Sequence, residues 1–231
     1  MNRATCPTEM DEAKVMAALP SHPLRDQLLV VIGFESGLRT SEICDLRVGD
    51  LWRNGACVST LRMNKRRRKG GRRVRSRVRS REIPINDRAR EFISRYMQER
   101  EKDGPLDPRL PLFPSRQGRR AFGREQAWRI IRRIFLQAGL DPAKTWAGHS
   151  LRRRFVRRIF EISDLETARI SVGHADAPRT CAYLFLGESA SIDAVMKIGR
   201  TTGAGTTQEV LTAMPDEGGS LEADGYRGAC V

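Results

Sequence analysis

Long apolar runs are missing from this sequence. The most apolar stretch, residues 28–34, is far too short to cross a bilayer, which takes about 20 residues. The opening M-N-R-A-T-C-P-T-E-M-D-E lacks the apolar centre of a secretory signal, so a cytoplasmic protein with no membrane partner is expected. Cysteine is sparse and scattered. Cys6, Cys44, Cys57, Cys181 and Cys230 form no C-x-x-C pair, which argues against a disulfide framework or a zinc motif. With only three histidines, and no Walker loop or metal-type carboxylate cluster, neither a metal nor another cofactor is expected.

What is abundant is positive charge. The chain carries 42 Lys and Arg against 28 Asp and Glu, a net +14, and such a surface concentrates polyanions without reading them. The charge is also concentrated locally: eleven of the seventeen residues from position 65 to 81 are basic and none is acidic. Arg66, Arg67, Arg68, Lys69, Arg72, Arg73 and Arg75 are candidate phosphate contacts. The same run also reads as a solvated loop that orders only against a polyanion.

Periodicity and capping signals predict helices over about 8–19, 24–36, 40–46, 87–102, 124–138 and 149–162. Shorter helices are expected after Asp164, after Pro178 and over 192–198. Residues 50–52 and 56–63 read as strands joined by the Asn54-Gly55 turn, and 81–85 as a third strand whose Pro84 suits an edge. The expected fold is mostly α with a small three-stranded antiparallel sheet, an α+β class, over residues 1–198. Residues 199–231, rich in Gly and Thr, are expected to be a disordered tail.

Four local patterns carry chemistry. Arg39 lies in G-L-R-T-S-E at a helix-to-helix corner, and Lys65, or alternatively Lys69, stands at the start of the basic loop. His149 and Arg152 share one helical face in H-S-L-R, and Gly173-His174 precedes Tyr183 by nine residues. Each alone has an ordinary reading: a surface arginine, a solvated lysine, a core aromatic. Their order, together with L-F-P-S and V-G-H-A-D-A-P-R-T-C-A-Y, resembles the catalytic domain of the tyrosine recombinase (phage integrase) family over about residues 8–198.

The resemblance implies a DNA strand transferase in which Tyr183 attacks a DNA phosphate. Arg39 and Arg152 would carry the charge that builds on the phosphate oxygens, a task for forked, permanently charged donors. A phenol with a pKa of about 10 needs a proton acceptor, implied to be His149, while His174 would bond a phosphate oxygen. Lys65 would protonate the departing 5′ oxygen. Arg153 and Arg154 adjoin Arg152, but the i+3 spacing from His149 favours Arg152.

The family usually has a helical domain ahead of this region that clamps DNA, and few residues precede it here. The chain therefore resembles short single-domain members, such as those that invert fimbrial promoters. Implied partners are duplex DNA with inverted-repeat sites and accessory DNA-bending proteins. A homotetramer is expected on DNA, a monomer in solution, and a nucleoid-associated location in the cell. Residues 191–198 are the segment expected to pass to a neighbouring subunit. The other readings are a type IB topoisomerase-like enzyme and a non-catalytic DNA-binding remnant.

Overall fold

The computed structural model describes residues 4–63, 80–102, 104–115, 120–174 and 177–184. All of them belong to Met1–Phe185, the first of two compact units into which the chain divides. The basic-loop residues Lys65, Arg66, Arg67, Arg68, Lys69, Arg72, Arg73 and Arg75 lie outside the described residues. So do the expected helix at 192–198 and the expected tail at 199–231.

Helix α1, Glu9–Ala18, starts at a capping box: Thr8 Oγ1 accepts from the Asp11 N–H at 3.1 Å, and Asp11 Oδ2 accepts from the Thr8 N–H at 3.0 Å. Helix α2, Leu24–Ser36, is buried from Asp26 onward and is the axis of the fold. It stops because Gly37 adopts φ 57°, a left-handed conformation in which a side chain is strained. A Cβ there would also overlap the Phe155 ring. Helix α3, Thr40–Cys44, follows at once, and α4, Val48–Leu51, after it.

Strands β1, Trp52–Arg53, and β2, Ala56–Cys57, flank Asn54 and Gly55, which both have positive φ (51° and 73°) as a tight hairpin turn requires. Strand β3, Thr60–Met63, pairs antiparallel with β4, Arg81–Pro84, and Thr60 stands opposite Pro84. The expected three-stranded sheet is therefore two two-stranded sheets among the described residues. The segment 56–63 breaks where it changes partner: the Val58 N–H donates to the Leu51 carbonyl at 3.0 Å, while the Ser59 carbonyl accepts from the Ile85 N–H at 2.9 Å. Asp50 and Leu51, expected in a strand, belong to α4, because Asp50 Oδ2 accepts from the Arg47 N–H at 2.7 Å and closes a helical turn.

Five further helices complete the described unit: α5, Asp87–Glu101; α6, Arg124–Gln137; α7, Gly148–Ile162; α8, Leu165–Val172; and α9, Ala177–Leu184. Asn86 and Asp164 cap α5 and α8 by accepting from Ala89 and Thr167 N–H groups, at 3.0 and 2.7 Å. The main core runs through Phe34, Phe135 and Trp146, whose rings meet in sequence at 6.2 and 5.4 Å. A second, smaller cluster of Val156, Ala168, Val172 and Leu184 joins α7, α8 and α9. Helix α7 spans both: Leu151 belongs to the first cluster and Val156 to the second. Arg152 sits at that junction.

Candidate active site

The turn from α2 to α3 presents Arg39 at the helix start. Glu42, three residues on and only 2% exposed, accepts from the Arg39 backbone N–H at 2.8 Å and pairs with its guanidinium at 3.1 Å. Burial pushes the Glu42 carboxyl up. The Arg39 N–H bond and the charges of Arg39, Arg152 and Arg81 outweigh this and leave it below the ordinary carboxylate range.

Arg152 is completely buried. Its Nη1 donates to the Gly37 carbonyl, its Nη2 donates to the Val172 carbonyl at 2.9 Å and meets His174 Nε2 at 3.2 Å, and its Nε is buried with no hydrogen-bond partner among the described residues. Because a guanidinium can only donate, His174 Nε2 accepts here, so the ring proton is on Nδ1, 3.0 Å from the buried Thr180 hydroxyl. Burial, and then the charge of Arg39, lower the Arg152 pKa to about 10, still far above neutrality. Arg152 is therefore a desolvated cation held by carbonyl groups, with another cation nearby. An incoming anion offsets that cost.

Tyr183 completes the constellation. Its Oη lies 3.3 Å from Nδ1 of the exposed His149, and its ring stands 4.8 Å from the His174 ring. The guanidinium carbons of Arg152 and Arg153 lie 5.7 and 5.3 Å from the centre of the Tyr183 ring, and Arg153 Nη1 donates to the Tyr183 carbonyl at 3.4 Å. Helix α7 can approach α3 this closely because Gly148 has no side chain; a Cβ there would overlap Thr40 Oγ1. Arg39 and His149 line one open cleft of about 630 Å³, together with Thr40, Arg124, Trp128 and Gly148.

The Phage integrase family model matches residues 8–188. The chain belongs to the phage integrase family. It is 27% identical over 148 residues to the tyrosine recombinase XerA of Pyrococcus furiosus, covering 64% of this chain and 45% of that protein. It is 36% identical over 115 residues to the type 1 fimbriae regulatory protein FimE of Escherichia coli K12, covering 50% of this chain and 52% of FimE. The chain thus spans about half the length of these relatives.

Solved structures agree on the fold. The crystal structure of XerA recombinase superposes with a TM-score of 0.66 at 20% identity, covering 85% of this chain and 66% of that one. XerH recombinase in a post-cleavage complex with a palindromic difH substrate gives 0.63 at 20% identity, covering 83% and 52%. The fold of this integrase-family chain is that of a recombinase catalytic domain.

Five of the six expected site residues, Arg39, His149, Arg152, His174 and Tyr183, are placed around one point by these contacts. The sixth, Lys65, is among the residues not described. Glu42, Arg153 and Thr180 were not expected. Glu42 has a sequence signal in its capping-box spacing from Arg39. Thr180 has none, since its role depends on where α9 packs. No group of three or more His, Cys, Asp or Glu among the described residues is placed to hold a metal ion, and no helix among them is long and apolar enough to cross a membrane.

Proposed function

We propose that this chain is a site-specific DNA recombinase that cleaves and rejoins duplex DNA through a 3′-phosphotyrosyl link. The observation that carries the reading is the Tyr183 hydroxyl 3.3 Å from His149, beside the buried cation Arg152. A scissile phosphate entering between Arg39 and Arg152 receives donors from both as charge builds on its non-bridging oxygens. The Tyr183 O–H bond breaks, with its proton going to His149 Nδ1, and the new O–P bond forms as the bond from phosphorus to the 5′ oxygen breaks. Lys65 gives that oxygen its proton. With Arg152 engaged by the phosphate, the His174 ring changes tautomer: Nε2 carries the proton and donates to a phosphate oxygen, and Nδ1 accepts from the Thr180 hydroxyl.

Because the phosphotyrosyl ester keeps the energy of the bond it replaced, a second 5′ hydroxyl reseals it without ATP. Attack by a hydroxyl from the other duplex gives a Holliday junction, and four copies on two inverted-repeat sites complete the exchange. The net positive charge, the likeness to a tyrosine recombinase and the structural neighbours solved with DNA support duplex DNA as the partner and, with it, a nucleoid-associated location. The decisive experiment is a nicked suicide duplex offered to the full chain. A covalent protein–DNA adduct mapping to Tyr183 supports the reading, and an adduct at Tyr96 or Tyr226 would falsify it.

A further inference from the structure

The three tryptophans of this chain stand in unlike environments. Trp52 and Trp146 are 5% and 0% exposed, and their indole N–H groups donate to Glu101 Oε1 at 2.7 Å and to the Asp141 carbonyl at 2.8 Å. Trp128 is 43% exposed. A single exposed aromatic is ordinary on any protein surface. Its location is what sets this one apart.

Helix α6 buries Ala127, Ile130, Ile131, Ile134 and Phe135 as its apolar stripe, and Trp128 is not on it. The indole instead lines the cleft that also holds Arg39 and His149, one helical turn from the exposed Arg124. The one carboxylate among the described residues of that lining, Glu125, is paired with Arg129 at 2.5 Å. The cleft therefore offers cationic groups for a phosphate and, beside them, an aromatic face for whatever the phosphate is attached to. An indole adds apolar area and a single N–H donor, which suits a sugar and base rather than a phosphate.

We propose that Trp128 is a specificity-determining DNA contact, packing on the nucleotide next to the phosphate that Arg39 and Arg152 hold, in the cleft shared by Arg39 and His149. Arg124 binds the backbone one step further along. The inference rests on the recombinase reading above and deepens it. Strand exchange separates base pairs beside the cut, which frees a base face for the indole, and ring packing discriminates among bases by shape and stacking strength rather than by a hydrogen-bond code.

Two measurements on the full chain test this. In the Tyr183→Phe background, acrylamide quenching of tryptophan emission is followed as a random-sequence duplex is added, with a Trp128→Phe chain marking the emission of the two buried indoles. Bound DNA is expected to reduce quenching to the Trp128→Phe level. Binding seen by gel shift with quenching unchanged overturns the proposal, and protection that appears only as the protein self-associates assigns the surface to a second copy. In parallel, nicked duplexes randomised around the cut are trapped as covalent adducts and sequenced. Trp128→Ala should give about tenfold fewer adducts and lose the base preference at one position beside the cut, while Trp128→Phe keeps it. An unchanged preference in Trp128→Ala overturns the proposal, provided its thermal midpoint matches the parent. Failure of the parent chain to form adducts on any sequence removes the recombinase reading instead, and the quenching arm still decides whether DNA covers Trp128.

Discussion

Helix α7 reaches Tyr183 on two sides, with His149 at its hydroxyl and Arg152 and Arg153 at its ring, and the His174 ring stands beside it as well. Removing the hydroxyl leaves the ring contacts intact, so Tyr183→Phe should abolish covalent adducts while DNA affinity, read by gel shift, stays near the parent value. Arg152→Lys keeps the charge but loses the fork that reaches Gly37, Val172 and His174 at once. Adduct formation should slow by about a hundredfold or more, the usual effect of losing a transition-state donor. A lysine variant cleaving at the parent rate would show that charge alone suffices there. Glu42 and Thr180 act one step back, the first holding Arg39 and the second holding the His174 ring. Neither spacing nor composition marks Thr180, because it lies six positions after His174 and meets that ring only through the placement of α9.

At the scale of elements, α1, α2, α5 and α7 are tied by an ionic cluster. Glu12 accepts from Arg154 at 2.7 Å and Arg158 at 3.1 Å, and Glu35 accepts from Arg158 at 3.0 Å and Asn86 at 2.6 Å. Glu12→Ala leaves the buried Arg154 with Glu161, at 3.2 Å, as its one acidic partner among the described residues, and should cost about 3 kcal/mol in urea unfolding. Burial pushes the Glu35 carboxyl up, but bonds from Arg158 and Asn86 and the charges of Arg158 and Arg88 hold it below its ordinary range. A depressed carboxylate contributes stability above its unfolded pKa, about 4.3, and loses it as pH falls through the folded value. The thermal midpoint should therefore hold from neutrality to about pH 5 and drop below that, with a shallower acid limb in Glu35→Gln. The α2–α3 corner is equally testable. Gly37→Ala places a Cβ against Phe155 at positive φ and should cost at least about 1 kcal/mol, and it should slow cleavage further by moving the carbonyl that orients Arg152. The ends of α2 and α5 were legible in Gly37 and Asn86, whose chemistry is local. The start of β1 was not, because Asp50 bonds backward to Arg47 rather than across a ladder.

For the whole molecule, the +14 charge predicts binding that weakens with salt, log affinity falling by about 0.9 per phosphate contact for each unit of log salt concentration. Replacing Arg66, Arg67, Arg73 and Arg75 by glutamine should flatten that slope by several units in a fluorescence titration. An unchanged slope would make the 65–81 segment a bystander. Ending the chain after residue 188 should spare single-site binding and abolish recombination if the 191–198 segment couples subunits, and normal recombination by the shortened chain would remove that segment from assembly. The caps at Thr8, Asn86 and Asp164 and the Asn54-Gly55 turn were settled by the sequence, since each depends on neighbours within a few positions. The run Arg152-Arg153-Arg154 was not. Successive helical residues point about 100° apart, so three identical side chains leave α7 in three directions. Packing alone sends Arg152 under His174, Arg153 against the Tyr183 ring, and Arg154 to Glu12.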